Sequence, residues 1–449
     1  MNAFVSQTRY PLTSPQREIW FDQMLHETVQ LYNIGGYVKI LGRIDPALFE
    51  QAINLLVQKH DALHTILTKV EDEDGLPLQM FRETLSVAVP VQDFSKEEDA
   101  EQAALAWMRM RFDQPFELHG KPLFRYDLVK TADECYYWLM QYHHLIADGQ
   151  TVALLHRSLA HLYTQLAQRQ VPDLTPLSYT HYISDDRAYV ESDKFEQHRR
   201  YWLKQYPTVP EPLLNPRYRS QFADNLIGSG CEAFFLPRDV YQQLNHLAKQ
   251  HKVTFLHIML GAFYVYFTRI AQRDDFALGL PVLNRANAQF KQTAGLFVGI
   301  SPTVFHFGQD LSFSELVVKI QQHLKSHYRH QRFPISELNR EVGLDKTGSS
   351  ALFDLNLSYQ QFDYDTAFNG ITSHFTVLWS TWEQTPLIIH LQDFHAQTDV
   401  KLDFVYNLAY FTQAEIQALQ SRLMTILQTV LTDCSTLMRD FSLFTSSEI

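Results

Sequence analysis

The sequence has 449 residues, of which 45% are hydrophobic and 20% are charged, so the chain can bury one large core or two. This composition excludes intrinsic disorder as the dominant state. The 38 Lys and Arg residues against 50 Asp and Glu give a net charge of −12, and no basic run stands out. Nucleic acid and anionic membranes are therefore not expected as partners.

Cysteine usage and hydropathy indicate the compartment. The three cysteines, Cys135, Cys231 and Cys434, are far apart and odd in number, which is typical of a reducing compartment and argues against a disulfide framework or a cysteine-based zinc site. The N-terminus lacks the apolar region of a signal peptide, and the most apolar stretch, 255–267, is too short to span a bilayer. We expect a soluble, cytoplasmic protein.

The first elements in chain order are a strand and a helix. Residues 36–41 alternate between apolar and polar types, as in a half-buried strand. Asp45 and Pro46 then supply an N-cap and a first-turn proline for a helix that we expect to end near Gln58.

A hairpin and a second helix follow. Two β-rich runs, 123–129 and 135–142, flank a polar turn and predict a hairpin. Apolar residues then recur at steps of three and four, which predicts one buried helix face formed by Val152, Leu155, Leu159, Leu162 and Leu166. The segment between Tyr142 and Thr151 is therefore a loop from a strand to a helix. Loops held by a rigid scaffold often contain catalytic side chains.

The second half of the chain has a similar mixture of patterns. We predict helices at 240–250 and 254–270. Two capping-box patterns predict the starts of further helices, namely Ser312 with Glu315 and Thr412 with Glu415. Predicted strands lie at 276–281, 297–307, 353–359, 387–394 and 401–406.

Proline and polar residues gather over 171–176, and we place a subdomain boundary there. The expected parts are an N-terminal subdomain, 1–176, and a C-terminal subdomain, 177–449. Both mix helices with mainly antiparallel-looking strands. The sequence therefore predicts an α/β fold built from α+β layers in two related subdomains.

The loop after the hairpin reads Tyr142-His143-His144-Leu145-Ile146-Ala147-Asp148-Gly149. An imidazole there can accept a proton from an attacking amine or hydroxyl, or orient it, because its pKa lies near neutrality. His144 is our candidate for this task, and His143 is expected to pack inward. Asp148 is close enough to brace the loop, and Gly149 permits a tight turn or close approach of a substrate.

Two other interpretations of this loop stay open. The two histidines could be a buried, hydrogen-bonded pair, with Asp148 as the cap of the next helix. His143, His144 and Asp148 could also be metal ligands. Adjacent residues leaving a strand point to opposite faces, so the two imidazoles are not expected to share one metal. We predict no metal site.

The loop and its setting resemble those of the condensation domains of nonribosomal peptide synthetases, in the chloramphenicol acetyltransferase-like superfamily. The resemblance extends along essentially the whole chain. Further matching motifs are 10–20, which includes Gln16 and Trp20, then 60–65, Tyr201-Trp202, 295–298 and 330–334. Several motifs in the family's order are far more specific than one loop.

The resemblance implies two chloramphenicol acetyltransferase-like subdomains in a pseudo-dimeric V arrangement around a central tunnel. The implied activity is amide formation, in which the amine of one carrier-bound aminoacyl thioester attacks a donor acyl thioester. His144 matches the family's functional histidine. His143, Asp148 and Gly149 complete the expected catalytic loop, and Arg285 is expected to support it by pairing with Asp148. The domain itself is expected to bind no cofactor, because both substrates arrive on phosphopantetheine.

Two positions depart from the family's motifs. The second motif usually ends in Leu-Arg-Thr, and this chain has His64 in place of the arginine, which affects a charge contact near the loop. The fifth motif usually contains an asparagine where this chain has Gly299. The glycine removes bulk and a polar group, which could open room for a less polar donor.

Other segments favour the starter subtype, which attaches a fatty acyl chain to the first amino acid in lipopeptide biosynthesis. The first motif begins about ten residues from Met1, so we expect the native polypeptide to start with this domain. Segments 31–36 and 284–287 also resemble that subgroup, and 441–449 resembles the family's exit into a linker and an adenylation domain.

We therefore predict a monomeric starter condensation domain, an acyltransferase that moves a fatty acyl group from an acyl thioester to the amine of an aminoacyl-S-carrier protein. The expected partners are a downstream peptidyl carrier protein, an acyl-CoA or acyl carrier protein donor, and an adjoining adenylation domain. One alternative is an elongation domain that joins two carrier-bound thioesters. Another is a non-catalytic platform that docks carrier proteins, although such platforms usually have a decayed loop and this loop is intact.

Overall fold

The structure, a computed structural model, describes residues 8–26, 29–223, 226–344, 351–364 and 366–444. Within these ranges the helices are α1 (Ser14–Leu25), α2 (Pro46–Lys59), α3 (Ala100–Phe112), α4 (Gly149–Ala167), α5 (Thr180–Val190), α6 (Asp193–Gln205), α7 (Arg238–Gln250), α8 (Phe255–Ala271), α9 (Ala288–Gln292), α10 (Phe313–His327), α11 (Ile335–Val342) and α12 (Gln413–Thr432). The strands are β1 (Arg9–Tyr10), β2 (Asn33–Ile40), β3 (Thr65–Glu71), β4 (Pro77–Phe81), β5 (Val91–Asp93), β6 (Phe124–Ala132), β7 (Cys135–His143), β8 (Ser229–Leu236), β9 (Asp275–Val282), β10 (Gly299–His306), β11 (Leu355–Gln360), β12 (Ala367–Phe368), β13 (Ile371–Val377), β14 (Leu387–Gln392) and β15 (Val400–Asn407).

The chain divides into two compact units, and each unit is formed by three separate segments of the sequence. The first unit comprises Met1–Ser192, Leu283–Val298 and Phe362–Thr381, and the second comprises Asp193–Val282, Gly299–Gln361 and Trp382–Ile449. Segments well beyond residue 176 therefore belong to the first unit. The boundary expected at residue 176 stays a prediction.

The first unit is built on a six-stranded sheet in the order β12-β13-β2-β7-β6-β5. The predicted hairpin is confirmed, because β6 and β7 pair antiparallel with Phe124 opposite Tyr142. Nearly every residue of β7 is buried, as expected of a central strand that is covered on both faces. Helices α2 and α4 pack together, and the Phe49 and Trp138 rings lie 6.0 Å apart between centroids. These contacts hold the loop at the end of β7 on a rigid support.

The second unit contains another six-stranded sheet, in the order β10-β9-β11-β14-β15-β8. Strand β11 runs parallel to both β9 and β14, and the other pairs are antiparallel. Helix α8 is buried along almost its whole length, which explains its near-continuous apolar sequence. The capping boxes predicted from the sequence are present at the starts of α10 and α12. The predicted α/β class is confirmed.

Seven of the described strands were absent from the sequence-based prediction, namely β1, β3, β4, β5, β8, β12 and β13. Strands β8 and β13 mix small, polar and apolar residues without a regular alternation, so their sequences give a weak strand signal. Strand β10 begins at Gly299 rather than at residue 297. The N–H of Phe297 instead donates a hydrogen bond to Asp148, outside the sheet.

Among the helices that the structure describes, no single one is long and apolar enough to cross a bilayer. Helices α7 and α8 reach that length and apolar character only as a pair, which is bent by 99°.

Candidate active site

The histidine loop lies between β7 and α4. His143 is the last residue of β7, His144 begins a short turn, and Gly149 is the first residue of α4. The N–H of His144 donates to the carbonyl of Tyr32, at 2.8 Å. The loop that the sequence singled out is therefore a fixed connection rather than an open flap.

One nitrogen of the His144 ring is buried. This atom, Nδ1, makes no hydrogen bond of ordinary geometry with the residues that the structure describes. Burial lowers the pKa of His144 below its ordinary value of 6.5, and the nearby carboxylate of Asp148 opposes that shift. A neutral imidazole can accept a proton at neutral pH, which is the chemistry that the sequence predicted for His144.

His143 has a different environment. Its Nδ1 accepts a hydrogen bond from the N–H of Leu145 at 3.2 Å, and its Nε2 donates to Oε1 of Gln23 at 3.3 Å. Burial lowers its pKa to about 3, so the ring stays neutral. Both nitrogens are thus used to shape the loop, in line with the expectation that His143 packs inward. Its place in the catalytic set stays a prediction.

Asp148 and Arg285 form the ion pair that the resemblance implied. Nη2 of Arg285 lies 2.9 Å from Oδ1 and 3.1 Å from Oδ2 of Asp148, and both side chains are 1% exposed. Asp148 also caps α4, because its Oδ1 accepts from the N–H of Thr151 at 2.8 Å. The structure therefore shows both the helix cap and the ion pair, and the bracing role of Asp148 stays a prediction.

Arg285 joins the loop to the segment that follows it in the first unit. Its Nη1 donates to the carbonyls of Phe290 and Thr293, at 2.5 and 2.6 Å. The guanidinium carbon lies 4.0 Å from the centroid of the Phe297 ring, a cation–π contact. An ordinary surface arginine, the alternative to a paired one, would have none of these contacts.

The sequence did not assign Thr151 and Tyr179 to this site. The Thr151 hydroxyl donates to the Gly295 carbonyl at 2.7 Å and accepts from Arg285 Nη2 at 2.9 Å. The Tyr179 hydroxyl donates to the Leu296 carbonyl at 2.5 Å. Neither residue stands out in sequence, because their partners lie more than a hundred residues along the chain.

Gly149 was expected to permit either a tight turn or close approach of a substrate. Its φ is not positive, and it sits in the first turn of α4. An added Cβ would lie 3.1 Å from the Phe362 ring, so space limits this position rather than backbone conformation. Close approach of a substrate at Gly149 stays a prediction.

The two departures from the family's motifs lie in different units. His64 is buried, and its ring nitrogens lie 2.5 Å from the carbonyl of Arg82 and 2.9 Å from that of Val57. Gly299 begins β10 in the second unit.

Metal ligation was one of the alternatives for the histidine loop. Over the described ranges, no group of three or more His, Cys, Asp and Glu side chains is placed to hold a metal ion. The contacts of His143 and Asp148 given above are instead with protein groups.

Comparison with known proteins identifies the class. The family profile of the condensation domain matches residues 6–448. The chain is 27% identical over 448 residues to surfactin synthase subunit 1 of Bacillus subtilis (strain 168), covering 98% of this chain and 12% of that protein. The chain thus spans about an eighth of that relative. It resembles a variant of the starter condensation domain of rhizomide synthetase RzmA in complex with C8-CoA, with a TM-score of 0.83, 26% identity and coverage of 97% and 98% of the two chains.

The first condensation domain of the calcium-dependent antibiotic synthetase, solved with a substrate analogue, shares the fold with a TM-score of 0.85 at 22% identity, over 98% of this chain and all of that one. The family match and these neighbours define the class of protein as a condensation domain, and such domains catalyse amide-bond formation, an acyltransferase-type reaction. The chain belongs to the condensation-domain family of nonribosomal peptide synthetases.

Proposed function

We propose that this chain is a starter condensation domain, which transfers a fatty acyl group from a thioester of CoA or an acyl carrier protein to the amine of an aminoacyl-S-carrier protein. The observation that supports this proposal is the likeness to the starter domain of rhizomide synthetase, which was solved with C8-CoA, and in one further variant with C8-CoA and Leu-SNAC. The histidine loop supplies the chemistry that such a transfer needs.

In the proposed reaction, the acceptor amine attacks the carbonyl carbon of the acyl thioester. The new C–N bond forms, the C–S bond breaks, and the thiol leaves with one proton. His144 accepts the proton that the amine loses, through Nε2, or orients the amine for attack. Holding amine and thioester together also makes the step effectively unimolecular. Asp148, Arg285 and His143 fix the loop so that His144 stays in place.

The proposal includes substrates and partners. Acyl and aminoacyl groups arrive on the phosphopantetheine of CoA, an acyl carrier protein or a peptidyl carrier protein, and a downstream carrier and an adenylation domain adjoin the chain in a longer polypeptide. Each methylene of an acyl chain that is buried in an apolar channel contributes about 0.8 kcal/mol, so burial alone can select a chain length. The proposed location is the cytoplasm. Residues 445–449, part of the segment that resembles a linker, lie outside the described residues.

The test is a condensation assay read by intact mass. A downstream carrier protein is loaded with a panel of amino acids, and acyl-CoA donors of graded length are offered. We expect a mass gain equal to the acyl group. His144→Ala should remain folded and lose activity by about 10²- to 10⁴-fold, the usual contribution of a positioned acid or base.

Other outcomes distinguish the alternatives. A mass gain that occurs only when an aminoacyl or peptidyl carrier supplies the donor would replace the starter role with elongation. Absence of product with every donor would support the docking platform instead. Full activity in folded His144→Ala would contradict the role given to that histidine.

A further inference from the structure

Two buried glutamines in the first unit form a closed pair of hydrogen bonds. Nε2 of Gln16 donates to Oε1 of Gln79 at 3.0 Å, and Nε2 of Gln79 donates to Oε1 of Gln16 at 2.8 Å. Both residues have no exposed surface. Gln16 lies on α1, whereas Gln79 lies on β4 in the small sheet β1-β4-β3.

The remaining contacts determine the orientation of both amides. Oε1 of Gln16 accepts from the N–H of Thr13 at 2.9 Å, and the second N–H of Gln79 donates to the carbonyl of Pro11 at 2.9 Å. A backbone N–H can only donate and a carbonyl can only accept, so neither amide can be turned over without losing bonds. The pair is therefore rigid as well as buried.

The glutamine pair contacts the histidine loop through one hydrogen bond. The second N–H of Gln16 donates to the carbonyl of Leu145 at 2.9 Å. Leu145 directly follows His144, and its N–H is already bound to the His143 ring. Both polar backbone groups of Leu145 are thus held, one by His143 and the other by Gln16.

We propose that Gln16 and Gln79 are positioning residues for His144, acting through the Leu145 carbonyl. This inference rests on the proposed function. Gln16 holds the peptide that follows His144, and Gln79 holds Gln16. Nothing in the sequence connects Gln79 with catalysis, because it lies outside every motif that was identified and reaches the loop only through Gln16.

A loose loop would affect His144 in two ways. The ring would lose the position from which Nε2 meets the amine, which lowers kcat because small displacements at a reacting centre are costly. Water would also reach the ring. Because burial is the main cause of its lowered pKa, that pKa would rise toward 6.5. A histidine that must be neutral loses activity as the pH falls through its pKa, so the acidic limb of the rate profile would move to higher pH.

The experiment compares three variants of the full chain in the condensation assay between pH 5 and 8. Gln16→Leu should lower kcat by about tenfold to a hundredfold, leave KM for acyl-CoA within about twofold, and move the acidic limb upward. Gln79→Leu should change both quantities in the same direction by less, because Gln16 keeps its bond to Leu145. Gln16→Glu retains the acceptor oxygen for Thr13 but lacks the N–H groups that donate to Leu145 and to Gln79. It therefore removes the same two bonds in a side chain of similar size, and it is used if Gln16→Leu does not fold.

Asn54→Leu is the matched control. Asn54 is a partly buried amide that clamps another loop, with Nδ2 donating to the Val87 carbonyl and Oδ1 accepting from the Val87 N–H, both at 2.9 Å. It should lower the melting temperature without changing kcat or the acidic limb. Folded Gln16 variants with the kcat and pH profile of the active wild type would overturn the positioning role. An inactive wild type would instead overturn the proposed function.

Discussion

The stability of the protein is expected to depend on pH through His143, because its ring is buried and holds the histidine loop only while it is neutral. The ring uses Nδ1 as an acceptor, and that bond is lost when the ring becomes an imidazolium. Burial lowers the folded-state pKa to about 3, whereas the unfolded state keeps the ordinary 6.5. Between these values the unfolded state binds more protons, so stability is full above pH 6.5 and falls as the pH decreases.

We expect His143 to account for about 2 kcal/mol of the unfolding free energy lost between pH 7 and pH 5. His143→Asn removes the titrating group and keeps an oxygen that can accept from the N–H of Leu145. Denaturant unfolding of both proteins at pH 7 and pH 5 measures the difference. An equally steep loss in His143→Asn would show that other groups are responsible.

We expect the charge of the Asp148 carboxylate to stabilise the protein, because it faces the buried guanidinium of Arg285. Asn at this position can still cap α4 through its one oxygen. Asp148→Asn removes the charge that faces buried Arg285 and also the second oxygen, Oδ2, which accepts from the N–H of Phe297. Leaving an uncompensated buried charge costs about 3–5 kcal/mol. Thermal unfolding should show a large fall in melting temperature, and the folded fraction should have reduced condensation activity.

The control for this change is an exposed pair. Glu191→Gln breaks the contact with Arg187, in which both side chains are more than half exposed. Such pairs contribute about 0–1 kcal/mol, so little change is expected. A comparable melting temperature in Asp148→Asn and Glu191→Gln would argue against a bracing role for Asp148.

At the scale of elements, the segment that contains Arg285 packs closely against Tyr179, the residue that precedes α5. Gly295 has a φ of +147°, and an added Cβ would lie 2.2 Å from the ring of Tyr179. The same tyrosine fixes the next residue through its hydrogen bond to the Leu296 carbonyl. Only glycine satisfies both the backbone conformation and the space here.

Gly295→Ala should therefore destabilise the first unit by more than a strained backbone alone. Gly120→Ala is the control for a positive φ without steric contact, because Gly120 has a φ of +72° with nothing within 4 Å of the added Cβ. Overpacking typically costs about 1–3 kcal/mol, and a φ of +147° is less accessible to alanine than +72°, so we expect Gly295→Ala to lose at least that much more unfolding free energy than Gly120→Ala. If chemical denaturation shows equal losses of unfolding free energy in the two variants, the Tyr179 ring moves aside without destabilising the protein.

Local patterns predicted the elements that support the site. The hairpin β6–β7, helix α4 and both capping boxes follow from alternation, helical spacing and side chains three residues apart. The pairing of Asp148 with Arg285 was available only through the family resemblance. Gln79, Tyr32 and Tyr179 could not be found in this way, because one sequence does not show which distant residues meet. Strand β13 has too irregular a sequence to be recognised without its partner, β2.

At the scale of the whole chain, the first unit is assembled from three separate stretches of sequence. Its sheet is completed by β12 and β13, and its ion pair by Arg285, all of which follow the 90-residue stretch Asp193–Val282 of the second unit. A pattern-based boundary near residue 176 reflects loop composition, whereas the compact units reflect contacts. Sequence composition alone contains no information about such exchange of segments.

This interleaving has a consequence for the order in which the protein is made. A nascent chain that has emerged as far as β7 and α4 has the histidine loop but lacks both Arg285 and β13, so β2 is an open sheet edge at that stage. Ribosomes add about 5–20 residues per second, and the missing strand therefore arrives on the order of ten seconds or more later. During translation the first unit is therefore incomplete until β13 has been made and can pair with β2.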